Sequence, residues 1–142
     1  MIPPAEQPPK TFTVAEANTI IPTVRTLVNK LQQLQRSISQ TNARIDELTI
    51  KVSAGNGYPI DSLKVHLEEL AKRQLDLIEA FQTSLQSLHD LGCELKDLNA
   101  GLVDFYGMRE GELIYLCWKA GEEQLRFWHT LDDGYAGRQP LE

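Results

Sequence analysis

His129 stands close to Asp132 and Asp133 in the run FWHTLDDGYAGRQPL at 127–141, and Asp104, Cys117 and Arg138 lie in the same last third of the chain. Imidazole and carboxylates together can hold a metal ion or relay a proton. A thiol beside an imidazole can become a nucleophile. Arg138 could clamp a carboxylate, or pair with Asp132 or Asp133 to hold an irregular tail. The competing residues are aromatic and basic: Tyr115, Arg126 and Trp128 offer the ring area and charge of a protein-interaction surface. No serine sits in a nucleophile elbow and no glycine run forms a phosphate loop. His66 and His89 have no motif partner; His89 suits the C-terminal end of a helix when charged.

Whether these groups meet depends on strands. Beyond Gly92 the apolar period becomes two, which predicts an antiparallel meander of three or four strands over 94–130. Glu94–Asp97 reads as a short edge strand and Leu102–Tyr106 as a second. A turn at Gly107–Gly111 leads to a strand at Glu112–Lys119, and a tight turn at Ala120–Glu123 to one at Gln124–Thr130. Closing the latter turn with Lys119 opposite Gln124 pairs Leu116 with Phe127, Tyr115 with Trp128 and Ile114 with His129. One face then carries Ile114, Leu116, Trp118, Leu125, Phe127 and His129, nearly all apolar. The other carries Leu113, Tyr115, Cys117, Lys119, Arg126, Trp128 and Thr130.

In this register Cys117 and His129 point to opposite faces and cannot form a nucleophilic pair. If Tyr106 lies opposite Glu112, Asp104 shares His129's face at ~10 Å, two strand spacings away. A register one residue different turns Asp104 away and buries Val103 and Phe105. That second register buries more apolar surface and is favoured.

The elements ahead of the meander are helical. Residues 1–12 form a proline-rich arm, expected to be mobile, and Thr13-Val14-Ala15-Glu16 has the form of a capping box. The short helix it starts, 13–20, is expected to end before Pro22, which suits the first position of a new helix at 22–52. There Val24, Leu31, Ile38, Ile45 and Val52 fall at one heptad position and Leu27, Leu34, Thr41 and Leu48 at the other, a coiled-coil seam that only Thr41 breaks. Turn formers from Ser53 to Pro59 precede a second helix at 61–91, whose wider apolar stripe needs more than one neighbour. Helix 22–52 carries a net charge of +3 and helix 61–91 of −3, which supports pairing them as an antiparallel hairpin. The fold class expected is α+β, a long helical hairpin followed by a small meander, in a single domain with an irregular tail at 131–142. The β-branched and leucine pattern of the seam also suits a homodimer.

A net charge of −6 and a pI near 5.1 argue against nucleic acid or anionic lipid as partners. No apolar run is long enough for a signal peptide or membrane span, and Cys93 and Cys117 lack metal-motif spacing, so a cytoplasmic protein with two reduced thiols is expected.

The segments FTVAEAN (12–18), GLVDF (101–105), LIYLCWKAGE (113–122) and FWHTLDDGYAGRQPL (127–141) resemble a family of small uncharacterised bacterial proteins classed as a domain of unknown function. The resemblance covers nearly the whole chain and implies a bacterial cytosolic protein of one domain. It brings no functional residues. The leading expectation is a non-enzymatic interaction or scaffold module that uses Tyr115, Arg126 and Trp128 to contact a protein partner, with no cofactor. The alternative is a small-ligand- or metal-binding enzyme with Asp104, His129, Asp132, Asp133 and Arg138 around a site between the meander and the tail.

Overall fold

The computed structural model describes residues 9–55 and 59–141. Residues 1–8 of the expected arm and 56–58 of the expected turn lie outside them. The fold is α+β: helices α1 (Val14–Ala54) and α2 (Ile60–Asp90) precede an antiparallel sheet of β1 (Cys93–Asp97), β2 (Leu102–Arg109), β3 (Glu112–Lys119), β4 (Phe127–His129) and β5 (Gln139–Pro140), paired in chain order. The fifth strand comes from the tail expected to be irregular, where Phe127 pairs with Pro140 and Trp128 with Gln139. Pro140 lacks an N–H, and an edge strand tolerates that.

By packing, the chain divides into two compact units, one comprising residues up to Asn29 with those from Gln86 onward, the other Lys30–Leu85. Within Lys30–Leu85 the helices form the hairpin. Gln74 of α2 donates Nε2 to the Ile38 carbonyl of α1 at 2.9 Å, and Leu31, Thr41 and Leu48 of the seam are buried. Thr41 therefore faces inward with its apolar neighbours. On α2, Val65, Leu75 and Ile78 are exposed, Leu75 by 68%.

In the other unit the helix break expected at Pro22 does not occur, since α1 runs through it unbroken. An internal proline costs about 3 kcal/mol. Ala17, Ile21, Val24 and Val28 are all buried on one face spanning Pro22, and burying each larger aliphatic side chain returns about 1.5–3 kcal/mol. The continuous buried face outweighs the missing hydrogen bond. That face shares its core with Leu88 of α2, with Val103, Phe105, Ile114, Leu116 and Trp118 of the sheet, and with Leu125. Phe12, placed in the expected mobile arm, is buried as well. Its N–H donates to the Tyr106 carbonyl at 2.8 Å and its ring meets Phe105 edge-on at 5.3 Å.

The β2–β3 hairpin closes at Glu110-Gly111, both at positive φ (53° and 80°), with Arg109 opposite Glu112. Positive φ at both central residues marks a two-residue hairpin turn matched to strand twist. The turn is shorter than the expected Gly107–Gly111 because Gly107 lies inside β2. A Cβ there would meet Leu116 Cγ at 3.0 Å and the Phe12 carbonyl at 3.3 Å. The resulting register buries Val103 and Phe105 on the core face, as the favoured pairing expects.

The capping box forms in full: Glu16 N–H donates to Thr13 Oγ1 at 3.1 Å and Thr13 N–H to Glu16 Oε1 at 2.8 Å. The Thr13 backbone bond, then its hydroxyl, holds the Glu16 carboxyl below its ordinary value of 4.5. A carboxyl depressed in the folded state contributes stability above its unfolded pKa and loses it as pH falls through the folded pKa. Replacing Glu16 by Gln is therefore expected to lower the melting temperature at pH 7 and to change it little at pH 3, by thermal denaturation at both values.

Candidate functional site

β3 is the middle strand of the site, with β2 on one side and β4 on the other. Asp104 pairs with Cys117 across β2–β3, and Tyr115 with His129 across β3–β4. All four residues share the sheet face opposite the core. Asp104 and His129 reach over the middle strand, and His129 Nε2 lies 3.0 Å from Asp104 Oδ2. Each residue is only 3% exposed. Oδ2 or its partner oxygen, the Cys117 sulfur and a His129 ring nitrogen all lie within 4.8 Å of one another.

This corrects the expected β3–β4 pairing by one residue. Leu116 lies opposite Trp128 instead of Phe127, which moves His129 to the face of Asp104 and Cys117. The β3–β4 connection is tied to α1. Leu125 does not extend β4: its N–H donates to Asn18 Oδ1 at 2.7 Å, and Asn18 Nδ2 donates back to its carbonyl. With Leu125 drawn to α1, β4 starts at Phe127 and the expected four-residue turn becomes a longer connection. The ~10 Å Asp104–His129 gap becomes a direct contact, and the reason for separating Cys117 from His129 disappears.

His129 Nδ1 lies 2.7 Å from the Thr130 carbonyl, an acceptor only, so Nδ1 carries the proton there. Nε2 faces Asp104. Either the pair is imidazolium and carboxylate, or a protonated Asp104 donates to a neutral ring. Burial pushes the Asp104 carboxyl above its usual range, and the charge and hydrogen bond of His129 offset part of that. Burial, then the nearby Asp104 carboxylate, pushes the Cys117 thiol up to about 12, so without a further positive charge it is not a thiolate nucleophile.

The cluster floors a cleft of about 230 Å³ walled by Lys96, Tyr115, Leu131, Asp132, Asp133 and Tyr135. At one side the Tyr115 and Tyr106 hydroxyls share a hydrogen bond at 3.0 Å, and Lys96 lies 2.7 Å from Glu94 Oε2 and 4.6 Å from the Tyr115 ring centre. Burial opposes the charge on Lys96, but bonds to Glu94 and Tyr115 win and hold it above its ordinary value. The Tyr115 hydrogen bond raises the Tyr106 phenol to about 12.

Asp132 and Asp133 thus line the same cleft as Asp104 and His129. Arg138 does not pair with either of them. Its guanidinium pairs with Glu122 and lies 3.8 Å from the Phe127 ring centre and 4.8 Å from that of Tyr135. Glu122 also accepts from the Lys119 N–H at 2.7 Å, so this ion pair pins the tail to the end of β3. The aromatic–basic set is divided. Tyr115 is turned into the cleft wall, Trp128 lies on the opposite face beneath Arg109 at 4.7 Å, and Arg126 is exposed ahead of β4. Sequence reasoning missed the membership of Cys117 and the roles of Lys96 and Glu122. A two-residue turn at Glu110-Gly111 would have placed Asp104 opposite Cys117; no local signal marks the β3–β4 shift.

Removing Asp104 leaves the His129 ring buried without its partner. Asp104→Ala is expected to destabilise the protein by about 3–5 kcal/mol, the usual cost of breaking a buried ion pair, with Asp104→Asn losing less; urea denaturation of both variants measures it.

A family model described as Uncharacterized conserved protein (DUF2203) matches residues 10–141 of the chain. Nothing among curated proteins or solved structures matches it.

Proposed function

Because the chain belongs to that uncharacterized conserved family, whose description names no activity, the reading rests on the site, and we propose that the protein binds a small ligand in the cleft over Asp104, Cys117 and His129. The observation that carries it is the buried Asp104–His129 pair at the floor of an open cleft. Desolvating two ionisable groups costs several kcal/mol each, and such clusters in clefts are where ligand chemistry is concentrated. At about 230 Å³ the space is below the ~300–1,000 Å³ typical of drug-sized ligands, which suits an ion or a molecule of few heavy atoms. The competing module reading gains less support, since Tyr115, Arg126 and Trp128 do not present one surface.

Native mass spectrometry of untagged protein is the test. A noncovalent added mass on the wild type, absent from folded His129→Gln, is the expected result. Bare protein throughout, with no metal ion or metabolite raising the wild-type melting temperature, would remove the reading.

Homodimerisation is a second, separate reading, favoured by Val65, Leu75 and Ile78 standing exposed on α2 of the hairpin. Sedimentation equilibrium is expected to show a dimer that Leu75→Glu disperses, and a wild-type monomer at all concentrations would dismiss it.

A further inference from the structure

We infer that Asp104, Cys117 and His129 form a binding site for a borderline divalent transition metal, zinc foremost, with a coordination position open to the cleft. The inference rests on the ligand-binding reading above and names the chemical class of the ligand.

Three different donor types converge here from three adjacent strands: a carboxylate oxygen, a sulfur and an imidazole nitrogen, all within 4.8 Å and all buried. Zinc accepts all three donors, at about 2.0–2.3 Å. Magnesium and calcium take oxygen donors almost alone, so sulfur and imidazole select against them. The tautomer is also set. With Nδ1–H held by the Thr130 carbonyl at 2.7 Å, the nitrogen aimed at the cluster is Nε2, and a ligating histidine commonly donates its other N–H to a backbone carbonyl in this way. The 3.0 Å between Nε2 and Asp104 Oδ2 would lengthen by roughly half an ångström for both atoms to ligate one tetrahedral ion.

Three protein donors leave a fourth position. It faces the cleft, where water, a small anion, or a carboxylate of Asp132 or Asp133 can complete the shell. Three ligands and an open place are the pattern of catalytic rather than structural zinc. Binding displaces the Cys117 proton and the proton held between Asp104 and His129, so two protons leave for each ion bound. The metal's positive charge is what turns the otherwise protonated Cys117 into a thiolate ligand.

The test uses Co²⁺ as the probe on full-length protein stripped with a chelator. One equivalent is expected to bind, with a sulfur-to-cobalt charge-transfer band in the near ultraviolet. Zn²⁺ should erase the band and excess Mg²⁺ should leave it. Cys93→Ser should keep the band and Cys117→Ser should lose it, while His129→Gln should weaken binding at least tenfold. Circular dichroism reports whether each variant folds. If Cys117→Ser does not fold, the wild-type and Cys93→Ser spectra decide between the two sulfurs. Absence of the band, its loss in Cys93→Ser, or displacement by Mg²⁺ would each overturn the metal assignment. If the wild type takes up no Co²⁺ yet carries an organic mass that His129→Gln loses, the metal inference falls and the cleft reading stands. With neither metal nor organic mass, both fall.

Discussion

The exchange of hydrogen bonds between the Asn18 side chain and the Leu125 backbone is the constraint on which the site depends. Each such bond is worth only about 1 kcal/mol net. Its structural effect is larger than its energy, because it occupies both backbone groups that would otherwise continue β4 toward the turn. Arg25 strengthens the same attachment by donating Nη2 to the Glu123 carbonyl at 3.0 Å. With the connection tied to α1 through side chains, β4 pairs with β3 one residue away from the tight-turn register. Side chains alternate with period two, so that single residue carries His129 to the other face.

The face that receives His129 is built to hold buried polar groups. Tyr115 stands between the Asp104–His129 pair and the Lys96–Glu94 pair, its ring 5.4 Å from the imidazole and its hydroxyl bonded to Tyr106. Half-satisfied networks in a low-dielectric setting are costly, and here each member has a named partner. From the tail side, Arg138 clamps Glu122 while stacking over Phe127 and Tyr135. Gly137 lets the loop fold tightly, since a Cβ there would come within 2.6 Å of Asp133 Cβ. The segment bearing Asp132 and Asp133 is thereby held at the cleft by contacts that do not involve the cluster itself.

The hairpin and the sheet were legible to different depths. Heptad spacing from Val24 to Val52 and the switch to period two after Gly92 report local geometry, so helix and strand identities followed from them. Pro22 misled because its cost is local while the compensation, burial of Ile21 and Val24, is tertiary. The register of β2 on β3 was readable in its faces, since Val103 and Phe105 had to be buried. The register of β3 on β4 was not, because a polar residue 107 positions earlier in the chain decides it.

By itself, then, the sequence determined the α+β class, the hairpin, the core face of β2 and the residue types available for a site. Only the tertiary structure decided that Asp104, Cys117 and His129 meet, that Arg138 is a staple for the tail, and that Tyr115 and Trp128 part company. Periodicity says which residues share a face along one strand. Which strand faces come together is decided by contacts between residues remote in sequence, and one residue of offset reverses the answer.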